Sequence, residues 1–260
     1  MTAIAAALAV AFALLADWLA PRVPFEFETR LAGSFAGDVG TGGEVESYLQ
    51  GLAGRLAKSE QLPDGMVIKV HYRDEPVVNA FATLGGHIVM YRGLLKILPD
   101  KNTLAMVLAH EIAHIKHRHP VTALGRGLAM AVVVSTLSSA AGNSVAGRAM
   151  GEAGLLTQLS FSRAQEEQSD ATALAAVVAL YGHAGGSSEL FALMRQAAAR
   201  ASEPPKLLST HPLSEERTAR LASLAQARQW PADGVRTPLP AAIRERLAAS
   251  EPKSAKQVQR

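Results

Sequence analysis

Apolar positions recur at steps of three and four between residues 41 and 60, where Val45, Leu49, Leu52 and Leu56 share one side, and this spacing predicts an amphipathic helix. Pro63-Asp64-Gly65 marks a turn. The stretch 66–72, with Val67, Ile68 and Val70, predicts a strand that Asp74-Glu75-Pro76 breaks and that resumes briefly over 77–82. After Gly85-Gly86, residues 87–91 form a second predicted strand. Asp100 stands where an N-cap belongs, ahead of a helix expected to run to about His119 and to be stopped by Pro120. Leu104, Val107, Leu108, Ile112 and Ile115 line its apolar side. Helices are also expected over 161–181, 187–200 and 214–228; Ser214 begins the last, but Arg217 at the third helical position leaves the capping box incomplete. Helix, small sheet, then mostly helices reads as an α+β fold without internal repeats.

Two stretches bear on membranes. Residues 1–20 are apolar apart from Asp17 and, at 1.5 Å per residue, reach about 30 Å, the thickness of a bilayer core. No Lys or Arg precedes the run and no Ala-x-Ala-like site follows it, so an uncleaved anchor touching membrane lipid is expected ahead of a cleaved signal or a surface helix. Arg22 would place the body on the cytoplasmic side, a weak indication beside Glu26 and Glu28. In the second stretch, 121–160, the hydrophobic run 128–134 is interrupted by Ser135, Ser138, Ser139, Gly142 and Asn143, which favours a core or membrane-grazing hairpin over a second membrane span. The organisation expected is an anchor or signal over 1–20, a linker over 21–40, the folded body over 41–240 and a basic tail over 241–260.

Composition narrows the function classes. With 260 residues, 48% of them hydrophobic and 19% charged, the chain can build a sizeable core and is neither disordered nor fibrous. Its charge of +3 comes entirely from residues 240–260, which hold five basic and two acidic residues; the remaining 26−5 and 23−2 balance at 21 each. The basic pI therefore describes a tail, and nucleic acid is not an expected partner. The absence of cysteine excludes a disulfide scaffold, a thiol nucleophile, an iron–sulfur centre, a Cys-based zinc site and a lipid-anchored cysteine. No oligomeric state follows from the pattern.

Four of the eight histidines fall within His110-Glu111-Ile112-Ala113-His114-Ile115-Lys116-His117-Arg118-His119. His110 and His114 are four apart on a predicted helix, so both imidazoles project from one face and can share a metal ion. Glu111 lies beside them, placed to take a proton from a water polarised by that ion. Glu166 and Asp170 repeat the four-residue step on the next helix. Two histidines and a carboxylate leave zinc an open position, the arrangement of catalytic sites, and Asp170 could then accept a proton from a ligand histidine. Glu167 competes with Glu166 for the third position, but the helical turn points it elsewhere. Arg163 is expected to pair with Asp170, or else to steady the reaction intermediate. Simpler readings cover the other histidines: His117 as a surface or supporting residue, Arg118 and His119 as helix-closing groups, His71 and His183 as surface residues.

Four ordered blocks carry a family resemblance. Asn79-Ala80-Phe81-Ala82 with Gly85-Gly86-His87-Ile88 and Gly93-Leu94-Leu95, His110-Glu111-x-x-His114 with Arg118-His119, Ser162-Arg163-x-x-Glu166-x-x-x-Asp170, and Thr210-His211-Pro212 with Glu216-Arg217 together resemble the M48 family of zinc metallopeptidases. The resemblance covers about residues 42–225, and Ser169 departs from it where the family usually has Ala. It implies a zincin-like α+β fold, mainly helical, with a small antiparallel or mixed sheet beside the zinc helix. It also implies one Zn2+ per chain held by His110, His114 and Glu166, with Asp170 behind them, Glu111 as general base and His211 near the substrate oxyanion. Gly85, Gly86, His87 and Ile88 would form the edge that aligns an extended polypeptide by strand addition, with Asn79 bracing the backbone there or touching the substrate. The implied activity is cleavage of internal bonds of unfolded or misassembled envelope proteins, from a bacterial inner membrane and with a periplasmic body. The alternative is a latent member acting as a chaperone-like binding module.

Overall fold

The structure is a computed structural model that describes residues 11, 14–15, 18–35, 42–127, 161–200, 205–212 and 214–249. After a short 3-10 turn at Ala20–Arg22, helix α1 (Phe25–Phe35) and helix α2 (Glu44–Glu60) precede strands β1 (Lys69–Arg73), β2 (Ala80–Ala82) and β3 (His87–Tyr91). Helices α3 (Arg92–Ile97), α4 (Lys101–Lys116), α5 (Arg163–Tyr181), α6 (Glu189–Arg200), α7 (Leu207–Thr210), α8 (Glu215–Ala227) and α9 (Ala241–Ala249) follow. The α+β class expected from the sequence is the class observed, with a small mixed sheet among helices.

Helix α4 is the centre of the fold. Asp100 caps it by accepting the Thr103 backbone N–H at 2.8 Å, and every residue from Asn102 to Ile115 is buried. It is therefore enclosed on all sides rather than amphipathic, packed on α2, α5 and β2. The buried side of α2 carries the four predicted residues Val45, Leu49, Leu52 and Leu56. Such enclosure has a consequence for the polar residues of α4: His110, Glu111 and His114 have lost water and must find partners inside the protein. The helix ends earlier than expected, at Lys116, because Arg118 turns into the left-handed region at φ 61°. Pro120 does not stop it; Pro120 sits in the first turn of a further helical segment, 119–127, where its missing N–H costs nothing.

The sheet order is β1-β3-β2, with β3 parallel to β1 and antiparallel to β2. This corrects the assignment of the substrate edge. His87 and Ile88 lie on the central strand, both of whose edges are already paired, and the free edge on the α4 side belongs to β2. The three residues of β2 hide this in the sequence, where it reads as the tail end of an interrupted strand.

Residues 21–40 are not simply a linker, because α1 packs on the Leu84–Gly86 turn. A Cβ on Gly86 would meet the Val67 carbonyl oxygen at 2.0 Å and one on Gly85 the Ala32 Cβ at 2.9 Å, and both glycines have positive φ. Both glycines serve this close packing. Glu28 of α1, itself buried, holds the Arg118 guanidinium at 2.6 Å, so the N-terminal helix is pinned to the end of α4. The expected tail also begins later, since α9 buries Ile243 and Leu247 in the main core. The hairpin expected over 121–160 lies outside the described residues from 128 onward, and so do the first ten residues of the N-terminal run. Among the described residues, no helix is long and apolar enough to cross a membrane.

Candidate metal centre

Helices α4 and α5 face each other along their length and bring the predicted ligands together. His110 Nε2 and His114 Nε2 are 3.0 Å apart, and Glu166 reaches both imidazoles at 3.4 Å through its two oxygens. The N-terminus of α5 is set by a full capping box: Ser162 accepts from Gln165 N, and the Gln165 side chain accepts the Ser162 N–H. That fixes the turn on which Glu166 lies. Glu167, one residue on, turns away to pair with Arg220 on the surface.

The hydrogen-bond network behind the histidines decides which ring nitrogens face the ligand position. His110 Nδ1 is 3.0 Å from Asp170 Oδ1, so this nitrogen carries the hydrogen and Nε2 presents its lone pair. For His114 the chain is longer. The Gln168 carbonyl oxygen can only accept, so His119 Nε2 donates to it at 3.1 Å and His119 Nδ1 is left to accept from His114 Nδ1 at 2.9 Å. His114 Nε2 then also presents a lone pair. Two buried imidazole nitrogens facing each other need a proton or a metal ion between them, and their separation suits two nitrogens bound to zinc at about 2.0–2.1 Å each. Donor types, burial and spacing all fit a zinc ion. His119 is thus more than a helix-closing residue: it is 3% exposed and fixes the tautomer of His114, while Phe161 covers the His114 ring at 3.9 Å. Ser169, the departure from the family pattern, adds its hydroxyl at 3.3 Å from His119 Nδ1.

The charge balance shows the same strain toward a cation. Burial disfavours charge on His110, but Asp170 and Glu166 outweigh it and push its pKa up to about 10. Burial alone dominates at His114, whose pKa is well below the ordinary value. Glu166 is buried too, yet His211, His110 and His114 hold its carboxyl far below the usual range. This side of the cluster is neutralised by Arg217, a residue whose role the sequence did not disclose. Its guanidinium grips Asp170 through two hydrogen bonds of 2.7 and 2.8 Å and makes ionic contact with Glu166 Oε2 at 2.7 Å. Arg163, expected in that role, is exposed on the first turn of α5. Arg217 succeeds because α8 crosses α5 at the level of Asp170, and only its place in the Glu216-Arg217 block hinted at this.

His211, on the turn after α7, completes the cluster. Its Nδ1 is 2.9 Å from Glu166 Oε1 and 3.3 Å from His110 Nε2, and its Nε2 is 3.5 Å from Glu111 Oε1 without a hydrogen-bond partner of its own. Among the described residues, His110, His114, Glu166 and His211 form the group able to hold a metal ion, with ligand atoms all within 4.8 Å of one another. Glu111 belongs to the rim: its Oε2 accepts the backbone N–H of Ala82, the last residue of the edge strand, at 2.7 Å. A small cavity of about 30 Å3 adjoins the cluster, its lining shared between His110, Glu111, Asp170, His211 and Arg217 and the apolar Met106, Val107, Leu190, Phe191 and Leu207. Asn79 leads into β2; its carbonyl accepts the Tyr91 N–H and its side-chain oxygen is buried without a partner. His87 is taken up elsewhere, hydrogen-bonded to His71 at 2.7 Å, so neither is a plain surface histidine. His183 is buried as well, bonded to Gly185 N and Val235 O.

The model of peptidase family M48 matches residues 43–225. The chain belongs to that family. Among curated M48 relatives, the putative beta-barrel assembly-enhancing protease of Vibrio cholerae is 29% identical over 202 residues, covering 72% of this chain and 40% of that protein. The beta-barrel assembly-enhancing protease of Escherichia coli K12 is 28% identical over 158 residues, 55% of this chain and 31% of that protein. A protease HtpX homolog of Ralstonia pickettii is 32% identical over 222 residues, 71% of this chain and 74% of that protein. The chain thus spans less than half the length of the assembly-enhancing proteases it matches. M48 is a peptidase family, and the cluster of His110, His114, Glu166 and His211 falls inside the matched residues.

Proposed function

We propose that this M48 member is a zinc-dependent endopeptidase that cleaves internal bonds of unfolded or misassembled envelope proteins. One observation carries the reading. Glu111 adjoins the ligand position and accepts the Ala82 N–H at the end of β2, whose outer side no other strand pairs among the described residues, so base, metal site and strand edge meet at one point. An extended substrate added along β2 would exchange main-chain hydrogen bonds with that edge, with the Asn79 side-chain oxygen free to accept another. A folded protein cannot offer such a segment, which restricts substrates to unfolded or flexible stretches.

His110, His114 and Glu166 would hold the zinc ion, which when bound would polarise the scissile carbonyl and a water molecule. Glu111 would accept a proton from that water and return it to the leaving amine. Asp170 and His119 keep the ligand histidines in the required tautomers, and Arg217 keeps Asp170 and Glu166 ionised. His211 stands where negative charge develops on the substrate oxygen. The apolar run 1–20 and the exposed Leu14, Leu15, Trp18 and Leu19 support attachment to a bacterial inner membrane, with the body in the periplasm by analogy with the family.

The test is to purify wild type and Glu111→Gln, measure zinc per chain, and follow cleavage of casein. One zinc in both with cleavage only by wild type supports the endopeptidase. Absence of zinc from the wild type defeats the reading. A second reading, latency, is favoured by His211: as a fourth protein ligand it would fill the position needed by water, and the protein would then bind polypeptides without cutting them.

A further inference from the structure

Arg118, two residues past the end of α4, takes the left-handed conformation at φ 61° although it carries a full side chain. A residue with a Cβ prefers the right-handed region, so this turn needs support from elsewhere in the fold. Pro120 keeps α4 from running straight on, but it does not choose the direction of the turn. The Arg118 side chain is fixed from outside. Its Nε donates to Glu28 Oε1 at 2.7 Å, its Nη2 donates to the Val23 carbonyl, and its guanidinium lies 5.7 Å from the centre of the Phe25 ring. All three partners belong to α1 or to the turn just ahead of it. Both charged side chains are nearly out of reach of solvent, Glu28 at 4% exposed and Arg118 at 11%.

The turn has a consequence for the metal cluster. Residues five apart on a continuous helix point about 140° away from each other, so His119 could not meet His114 if α4 ran on. With the turn at Arg118, His119 Nδ1 comes to 2.9 Å from His114 Nδ1, the hydrogen bond that leaves His114 Nε2 facing the cluster. The Arg118 carbonyl then starts the next helical segment, accepting from Thr122 N at 3.1 Å and from the Thr122 hydroxyl at 2.9 Å. We infer, given the zinc site proposed above, that Glu28 and Arg118 are positioning residues of that site: their ion pair holds the left-handed turn that swings His119 onto His114, so α1 sets how the second ligand histidine is presented. Glu28 lies outside residues 43–225, so the family match assigns it no role.

Two substitutions at one position test this. Arg118→Ala loses the ion pair and keeps the Cβ that opposes the turn, whereas Arg118→Gly loses the pair but enters the left-handed region freely. In the full-length protein, Arg118→Ala and Glu28→Ala should bind zinc about tenfold more weakly than wild type in competition with a chelating dye, at the low end for groups that support metal ligands. Arg118→Gly, alone or combined with Glu28→Ala, should stay within about threefold of wild type. Leu247→Ala, on α9 where it packs on α2 and α3, is the reference for lost stability alone and should keep wild-type zinc affinity. In the metal-free protein, the ring 15N shifts should show His114 protonated at Nδ1 in wild type and Arg118→Gly, and a mixture of tautomers in Arg118→Ala. Zinc affinity and ring shifts that are both unchanged in Arg118→Ala overturn the positioning role, and so does an Arg118→Gly protein that loses as much as Arg118→Ala. A wild type that takes up no zinc defeats the site proposed above, while the ring shifts of the metal-free protein still decide the role of Arg118.

Discussion

The backbone N–H of Ala82 donates to the carboxylate of Glu111 at 2.7 Å, joining the last residue of the edge strand to the residue that follows His110, the first histidine of the candidate metal cluster. A carboxylate held this way keeps one oxygen engaged and the other free toward the ligand cluster. Glu111→Gln preserves the acceptor for Ala82, since the amide oxygen can take the same hydrogen bond, but it cannot take a proton from water. We expect unchanged zinc content and a fall in cleavage of roughly 10²–10⁴-fold, the usual contribution of a positioned base. Metal analysis and a casein assay on the same preparations check this. Loss of zinc together with activity would show that Glu111 has a different role.

Arg217 and Arg163 make a discriminating pair. Removing Arg217 leaves Asp170 and Glu166 buried without their cation, and His110 loses the orientation Asp170 gives it. Arg217→Ala should therefore weaken zinc binding by about 10–100-fold, the effect typical of groups that support metal ligands. Arg217→Lys should recover only part of this, because an ammonium cannot reproduce the two-pronged grip on Asp170. Arg163→Ala should match wild type. Competition with a chelating dye measures all three. Equal zinc affinity in Arg217→Ala and wild type would remove Arg217 from the site.

The contrast between those two arginines shows what sequence can and cannot reveal. Much of what lies within one helix is readable: Asp100 as a cap, the four-residue steps that pair His110 with His114 and Glu166 with Asp170, the apolar side of α2. These follow from a period fixed by the backbone. What joins separate segments was not. Arg217 reaches Asp170 across 47 residues, Arg118 reaches Glu28 across 90, and β3 lies inside the sheet because β1 returns to its far edge. His119 stands on the boundary between the two cases. It is five residues from His114, close enough to be suspected, but its hydrogen bond depends on Gln168 from another helix.

Glu60 gives the fold a pH dependence. It is 3% exposed at the end of α2, both its carboxylate oxygens lack partners, and burial raises its pKa from 4.5 to about 8 against the pull of Lys116 and His110. Lys116, the nearest cation, gives its hydrogen bond to the Glu60 backbone carbonyl instead. Between those two pH values the folded chain keeps a proton that the unfolded chain has released. Stability is therefore full below the unfolded value of 4.5 and falls as pH rises toward 8, by about 1.4 kcal/mol per pH unit. Glu60→Gln removes that titration, so its advantage over wild type should widen from pH 5 to pH 8. Urea midpoints at pH 5, 6.5 and 8 measure it. A constant difference across the three would mean that Glu60 does not titrate in this window.

His211 decides between an open and a closed metal site. Its Nδ1 approaches Glu166 at 2.9 Å, and its Nε2, 3.5 Å from Glu111, has no hydrogen-bond partner. If it acts on the substrate, His211→Ala leaves three ligands, keeps zinc bound and removes a donor for the developing oxyanion. The expected result is unchanged zinc content with cleavage reduced by about 10²–10³-fold, largely in kcat. If instead it is a fourth ligand, the same substitution opens the site: zinc binds more weakly and cleavage rises above wild type. The two outcomes differ in sign for the rate and in direction for the metal, so a single variant measured for both separates an active endopeptidase from a latent one.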